Sequence, residues 1–265
     1  MNNIKHSFKR FLSHLSFPHK LDGRVVILTY HSVSPHHQFS VKPEDFEAQI
    51  KYLSEKFNII SLDQISCYSL FNHKPPVIVT FDDGYEDNYT FAYPILKKYN
   101  CTATVFITSD FIFNNLNITK GWGFYEGLRP LKVNQIKEML ESGISFGSHG
   151  KTHERLSGLN LTRLREETII SKKEIDNNFN CNISLFSYPF GQKNDFNNDC
   201  VNYLKSAGYT IACSNMWGFN KNSQLDLFCL KRIEINYLDD FTDFINKIRG
   251  KWNFIGYFQT IKNSL

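Results

Sequence analysis

The sequence predicts an α/β protein built on a parallel sheet. Short runs rich in β-branched and aromatic residues alternate with stretches of helical period. Several of these runs are almost wholly apolar, as in strands buried on both faces. The length of 265 residues, with 42% hydrophobic and 21% charged residues, suits one α/β domain with a sizeable core. Pattern alone leaves a closed barrel and an open doubly wound sheet both available. In either, chemistry gathers where strands end at their C-terminal side.

Residues 1–22 form a basic segment. Lys5, His6, Lys9, Arg10 and His14 interrupt any apolar core of a secretory leader. Ile4, Phe8, Phe11, Leu12 and Leu15 share one side of a helix. Such a helix can lie on a membrane surface through residues 4–15, or pack on the domain, or fray in solvent. No run approaches the ~20 apolar residues of a spanning helix. The expected location is cytoplasmic, with peripheral contact at the inner membrane face as an option.

Residues 23–250 carry the main domain, and 251–265 are expected as a C-terminal tail. The expected strands are Val25–Tyr30, Val77–Phe81, Thr102–Ile107, Ile144–Ser148, Ser184–Tyr188, Tyr209–Cys213 and Cys229–Ile235. In 44–57, Phe46, Ile50, Leu53 and Phe57 step by four, three and four. In 133–142, Val133, Ile136, Met139 and Leu140 share a face, and Gly143 stands at the helix end. Further helices are expected at 89–99, 161–178, 196–206 and 239–249.

The formal charge of +4 is too mild, and too evenly spread, for a nucleic-acid binder. The six cysteines form no CxxC pair. A chain of this length does not need disulfides, so free and mostly buried thiols are expected.

Two motifs stand at strand ends. Val77–Phe81 runs into Asp82-Asp83-Gly84. Adjacent carboxylates raise each other's pKa unless a cation intervenes. A divalent ion would let one carboxylate ligate while the other remains a base. The competing reading is a solvated turn. Ile144–Ser148 runs into His149-Gly150-Lys151-Thr152-His153. Two imidazoles and one carboxylate from separate strand ends make a metal set with open positions.

Together with Phe186-Ser-Tyr-Pro-Phe-Gly191, these segments resemble the polysaccharide deacetylases of the NodB-homology type, carbohydrate esterase family 4. The resemblance covers roughly residues 24–236. It implies a single-domain, distorted (β/α)7 barrel that removes N-acetyl groups from a glycan. It implies Asp82 as general base, and Asp83, His149 and His153 as ligands of a divalent ion, usually zinc. The backbone N–H of Phe190, after Pro189, would face the oxyanion.

The chain departs from the family pattern in three places. The late strand Leu230–Ile235 lacks the usual Leu-x-His acid. The first strand instead ends Tyr30-His31, which resembles the circularly permuted poly-N-acetylglucosamine deacetylases and implies His31 as the acid. A strand-end histidine bonded to backbone is the plainer reading. Ser187 replaces an arginine that usually orients the base, and Arg232 is the expected substitute. Gly150 stands where Ser or Thr is usual, a loss that weakens no ligand.

Tyr188, Phe190 and Trp217 could stack on sugar faces, although core packing is the commoner fate of such aromatics. The loop Trp122–Tyr125 could wall the groove. Hydrolysis of another linear amide or ester, and a non-catalytic carbohydrate-binding role, are the alternatives. A binding module has no need of an ionised base beside a metal. A cytoplasmic lipid-linked or nucleotide-linked glycan precursor would suit the expected location.

Overall fold

The computed structural model describes residues 2–19, 21, 23–67, 74–118 and 125–262. Trp122, Gly123 and Phe124 of the expected groove loop lie outside them. The strands are β1 (Arg24–Tyr30), β2 (Asn58–Ile59), β3 (Pro76–Phe81), β4 (Thr104–Ile107), β5 (Ser145–Ser148), β6 (Leu185–Ser187), β7 (Ile211–Trp217), β8 (Asn220–Lys221) and β9 (Leu230–Glu234). The helices are α1 (Asn2–Leu15), α2 (Pro43–Lys56), α3 (Tyr93–Lys98), α4 (Ser109–Asn114), α5 (Val133–Glu141), α6 (Leu161–Arg165), α7 (Ser171–Phe179), α8 (Asn198–Ser206), α9 (Phe241–Ile248) and α10 (Phe254–Lys262).

Seven strands close a parallel barrel. Their order is β3-β4-β5-β6-β7-β9-β1, and β1 pairs back onto β3 from Val26↔Val77 to Tyr30↔Phe81. The short β2 pairs beside β3, and β8 lies antiparallel to β1.

Strand alternation sorts the core into two layers. Val26, Leu28 and Tyr30 face the helices, where they join Phe46, Ile50 and Leu53 of α2. Val25 and Ile27 face the lumen with Ile78, Phe106, Leu185, Ile211, Cys213 and Leu230, above a floor of Ile60, Leu62 and Ile65. Continuing that inward parity upward gives a polar tier: Thr29, Thr80, Ser187 and Arg232, each buried. The barrel is thus greasy below and polar under its C-terminal mouth.

Several expectations are corrected. β7 runs on past Cys213 to Trp217, with a register shift against β9 between them. α4 is too short to show a helical period in sequence. Beyond residue 250, Trp252 is buried and a Cβ on Gly256 of α10 would lie 2.5 Å from the Trp217 carbonyl oxygen, while Tyr257 and Phe258 are exposed. The cysteines are free, but only Cys200 and Cys213 are buried and Cys67 is exposed. α1 rests on the barrel through polar groups: His6 and Arg10 bond to Asp243 of α9, and Ser13 is buried.

Candidate active site

Asp82 and Asp83 diverge because the chain turns between them. The Asp82 N–H donates to the Tyr30 carbonyl at 3.0 Å, which extends the β3 alternation by one residue. Its side chain therefore follows Thr80 into the lumen. Asp83 (φ 76°) and Gly84 (φ 83°) then adopt left-handed geometry. A Cβ on Gly84 would meet Ile107 Cγ2 at 2.8 Å, so glycine is required for space as well as for conformation. Asp83, His153 and Phe190 are non-glycine residues with positive φ. Each costs energy, and the three converge on one cleft.

Asp83 turns toward the histidines. Its Oδ1 lies 3.5 Å from His149 Nε2 and 3.4 Å from His153 Nε2. Ligands about 2.0–2.1 Å from a tetrahedral ion would be about 3.3 Å apart, so the spacing fits one ion. Asp83 Oδ1 is buried with no hydrogen-bond partner among the described residues. The tautomer of His149 is set by its other nitrogen, since Nδ1 must donate to the Ser187 carbonyl at 2.8 Å. That leaves the Nε2 lone pair facing Asp83. Burial is the main force pulling His149 down to about 4 and His153 down to about 3, so both imidazoles are neutral at ordinary pH. Neutral imidazoles around a lone carboxylate are the donor set a divalent cation requires.

Arg232 holds Asp82. Its Nη1 donates to Oδ1 at 2.7 Å and its Nη2 to Oδ2 at 2.6 Å, a bidentate pair. The guanidinium is itself fixed by the Ser214 carbonyl (2.8 Å), Ser187 Oγ (3.0 Å) and Asn215 Oδ1 (2.9 Å). Burial pushes the Asp82 carboxyl upward, but the charge of Arg232 and its hydrogen bonds outweigh it. The net shift is well below the usual carboxylate range. Ser187, where an arginine was missing, leaves the room that Arg232 fills from the lumen.

The His149–His153 turn is braced by a residue that sequence reasoning missed. Glu167, fully buried, accepts the backbone N–H groups of Lys151 (2.8 Å) and Thr152 (3.1 Å) and the Thr152 hydroxyl (2.5 Å). It lies in a π-helical turn, Glu166–Ile170, between α6 and α7. Gly150 is more than tolerable here: its φ is 82°, and a Cβ would lie 2.6 Å from Glu167 Oε2. A glutamate within a helical stretch carries no sequence signal for this role.

These groups open into a cleft of about 560 Å³ lined by His31, Asp82, Asp83, His149, His153 and Phe190, with Tyr125 and Arg155 at its walls. His31 follows β1 beside Asp82, and its ring stacks on Tyr125 at 5.5 Å. Its carbonyl accepts from Asn88 Nδ2 at 2.8 Å, so backbone and ring are both placed. Phe190 is gripped between Arg155, 3.8 Å over its ring, and His153 at 4.9 Å. Pro189 packs beside the Gly150 turn. Two expected sugar platforms do not face this cleft. Tyr188 is fully buried, stacks on Phe196 at 3.8 Å and donates to the Phe228 carbonyl. Trp217 lines a different cavity, beside Gly256 and Tyr257 of α10. A strand-end aromatic does not disclose its direction in sequence.

Comparison with known proteins places the chain in a family. The sequence pattern of polysaccharide deacetylases matches residues 71–212, which include all of the Asp82–Gly84, His149–His153 and Phe186–Gly191 segments. The chain is 31% identical over 218 residues to YxkH of Bacillus subtilis (strain 168), named for the same family, covering 81% of this chain and 72% of that one. It is 32% identical over 182 residues to the poly-beta-1,6-N-acetyl-D-glucosamine N-deacetylase of Staphylococcus aureus (strain MRSA252), covering 64% of this chain and 59% of the relative. The structure of the Streptococcus pyogenes deacetylase PplD in complex with acetate superposes with a TM-score of 0.70 at 25% identity, covering 87% of this chain and 99% of PplD. With the closed seven-stranded barrel and the three motif segments gathered at its mouth, the chain belongs to the polysaccharide deacetylase family.

Proposed function

We propose that this chain hydrolyses the acetamide of an N-acetylated glucosamine unit in a glycan or glycan precursor, releasing acetate, with a divalent ion at Asp83, His149 and His153. The observation that carries this reading is the division of labour between adjacent carboxylates. Asp82 is neutralised by Arg232, while Asp83 faces two neutral imidazoles with no lysine or arginine paired to it among the described residues. Deacetylases of this family are generally metal-dependent, and zinc is the ordinary choice for such a donor set. The ion, when bound, supplies Lewis acidity toward a water and the acetamide carbonyl.

The remaining steps fall to the chain. Asp82 Oδ2 accepts from Arg232 and the Ser187 hydroxyl, while among the described residues Oδ1 accepts only from Arg232 and keeps a lone pair to take a proton from the attacking water. The pairing that keeps Asp82 ionised also makes it weakly basic, so it works only on an acidified water. The Phe190 N–H, on a left-handed residue at the cleft, stabilises the developing oxyanion. His31, stacked on Tyr125, protonates the leaving amine.

The test is acetate release over a panel of N-acetylated sugars, oligomers, polymers and lipid-linked or nucleotide-linked precursors. Release should be abolished by a chelator, restored by added zinc, and lost in Asp82→Asn. Release that survives both chelation and Asp82→Asn would refute the assignment.

A further inference from the structure

α1 presents the wrong face to solvent for a helix that serves only to cover the barrel. Successive residues turn by about 100°. His6, Arg10 and Ser13 share one sector of the helix, and these point at the protein: His6 Nε2 is 3.2 Å from Asp243 Oδ2, Arg10 Nε is 3.1 Å from Asp243 Oδ1, and Ser13 is buried. Ile4, Phe8, Phe11 and Leu15 share an arc of about 60° on the opposite side. They are 59–75% exposed, and Phe17 just beyond the helix is 87% exposed. Burying those side chains would be worth more than burying the polar set, so a helix folding only for stability would be rotated by half a turn.

We propose that this outward face docks on an anionic phospholipid bilayer. α1 reads NNIKHSFKRFLSHL, with no acidic residue. Lys5 and Lys9 lie exposed along one side of the apolar arc and His14 along the other. An apolar stripe bordered by lysines is the arrangement that inserts shallowly beneath negatively charged headgroups. Phenylalanine suits that depth. A second copy of the chain fits the stripe less well. A helix of 14 residues is about 21 Å long and about 10 Å wide, so the face offers roughly 200 Å², against about 800 Å² per partner in a stable dimer. Lys5, His6 and Lys9 of the same helix also line the catalytic cleft. Docking through α1 therefore holds the mouth of that cleft beside the lipid surface. The proposal is independent of which sugar is deacetylated.

Cosedimentation of the full chain with vesicles of phosphatidylcholine, with and without phosphatidylglycerol, tests it. Binding should be about tenfold or more stronger to the phosphatidylglycerol vesicles and should weaken with salt. The double variant Phe8→Glu, Phe11→Glu should lose that binding by about tenfold or more, with its unfolding midpoint unchanged. The milder pair Phe8→Ser, Phe11→Ser serves if the added charges unsettle α1. Failure of the natural chain to bind either vesicle, or binding that both double variants retain, overturns the proposal. So does a natural chain that sediments as a dimer and becomes monomeric in the double variant, since a second copy would then cover the stripe.

Discussion

Two clusters of acid and imidazole each contribute histidine to the wall of one cleft, and they solve the same problem differently. Asp83, His149 and His153 bring their ligand atoms within 4.8 Å of one another, and so do His6, Asp239 and Asp243. By residue type both could hold a metal. Their counter-charges separate them. In the second cluster Lys247 Nζ lies 2.5 Å from Asp239 Oδ2, and Arg10 grips Asp243. Two carboxylates there meet two cations, and the cluster is a clasp that ties α1 to α9. In the first, the nearby Arg232 is already spent on Asp82, and among the described residues no lysine or arginine pairs with Asp83. Ligand type does not mark a metal site; an unbalanced buried charge among ligands does.

The largest expected effect tests that rule directly. Elemental analysis should find one ion per chain, and Asp83→Ala or His149→Ala should lose it with an activity loss on the order of 10³-fold, since Lewis acidity is worth several kcal/mol. Two ions per chain would break the comparison.

Arg232→Ala comes next. It leaves Asp82 buried and unpaired, which costs about 3–5 kcal/mol of stability. Turnover should fall about 100-fold while the ion is retained, because Asp82 loses its orientation. Arg232→Lys keeps the charge without the fork and should recover part of the loss. Unchanged turnover in both would show that Asp82 needs no partner.

A third buried carboxylate sharpens the rule. Among the described residues Asp87 has no cation beside it, and burial pushes its carboxyl up to about 7, against hydrogen bonds from Ser32, the Val33 N–H and Asn88. It meets the same demand by keeping its proton. The folded state then binds more protons than the unfolded state between about pH 4 and 7, so this group's contribution to stability falls as pH rises through that window and levels off above it. Asp87→Asn should flatten this part of the stability curve and, above pH 7, gain roughly 2–4 kcal/mol. Unfolding midpoints of both proteins across that range provide the check.

The smallest effect belongs to the clasp. His6→Ala should cost about 1 kcal/mol, lowering the unfolding midpoint by roughly 2–4 °C, with no change in ion content. Loss of an ion in that variant would reassign the second cluster as a metal site.

Much of this was legible in the residues. The seven strands of the barrel were placed to within a few residues, because strands buried on both faces leave nearly unbroken apolar runs. The Asp-Asp-Gly and His-x3-His segments were legible because chemistry at a strand end is carried by local sequence. Arg232 could be named as a partner for Asp82, but its direction could not. Tyr188 and Trp217 show the same limit from the other side: their position was right and their facing was not. Glu167 was invisible, because nothing local distinguishes a brace from a solvated helix residue.

By itself, then, the sequence determined which groups stand at the strand ends and the alternation that sends every second residue inward. Only the tertiary structure decided which of them meet. Arg232 and Asp82 are 150 residues apart, on strands separated by β1, and they touch because the sheet closes and both share its inward parity above the apolar tier. Closure also decided the orientation of α1. Its periodicity displays an apolar face, but Arg10 and His6 on the other face found Asp243 on the barrel, and the apolar face was left outward. Pairwise charge and barrel closure act across the whole chain, and no local window of sequence contains both partners.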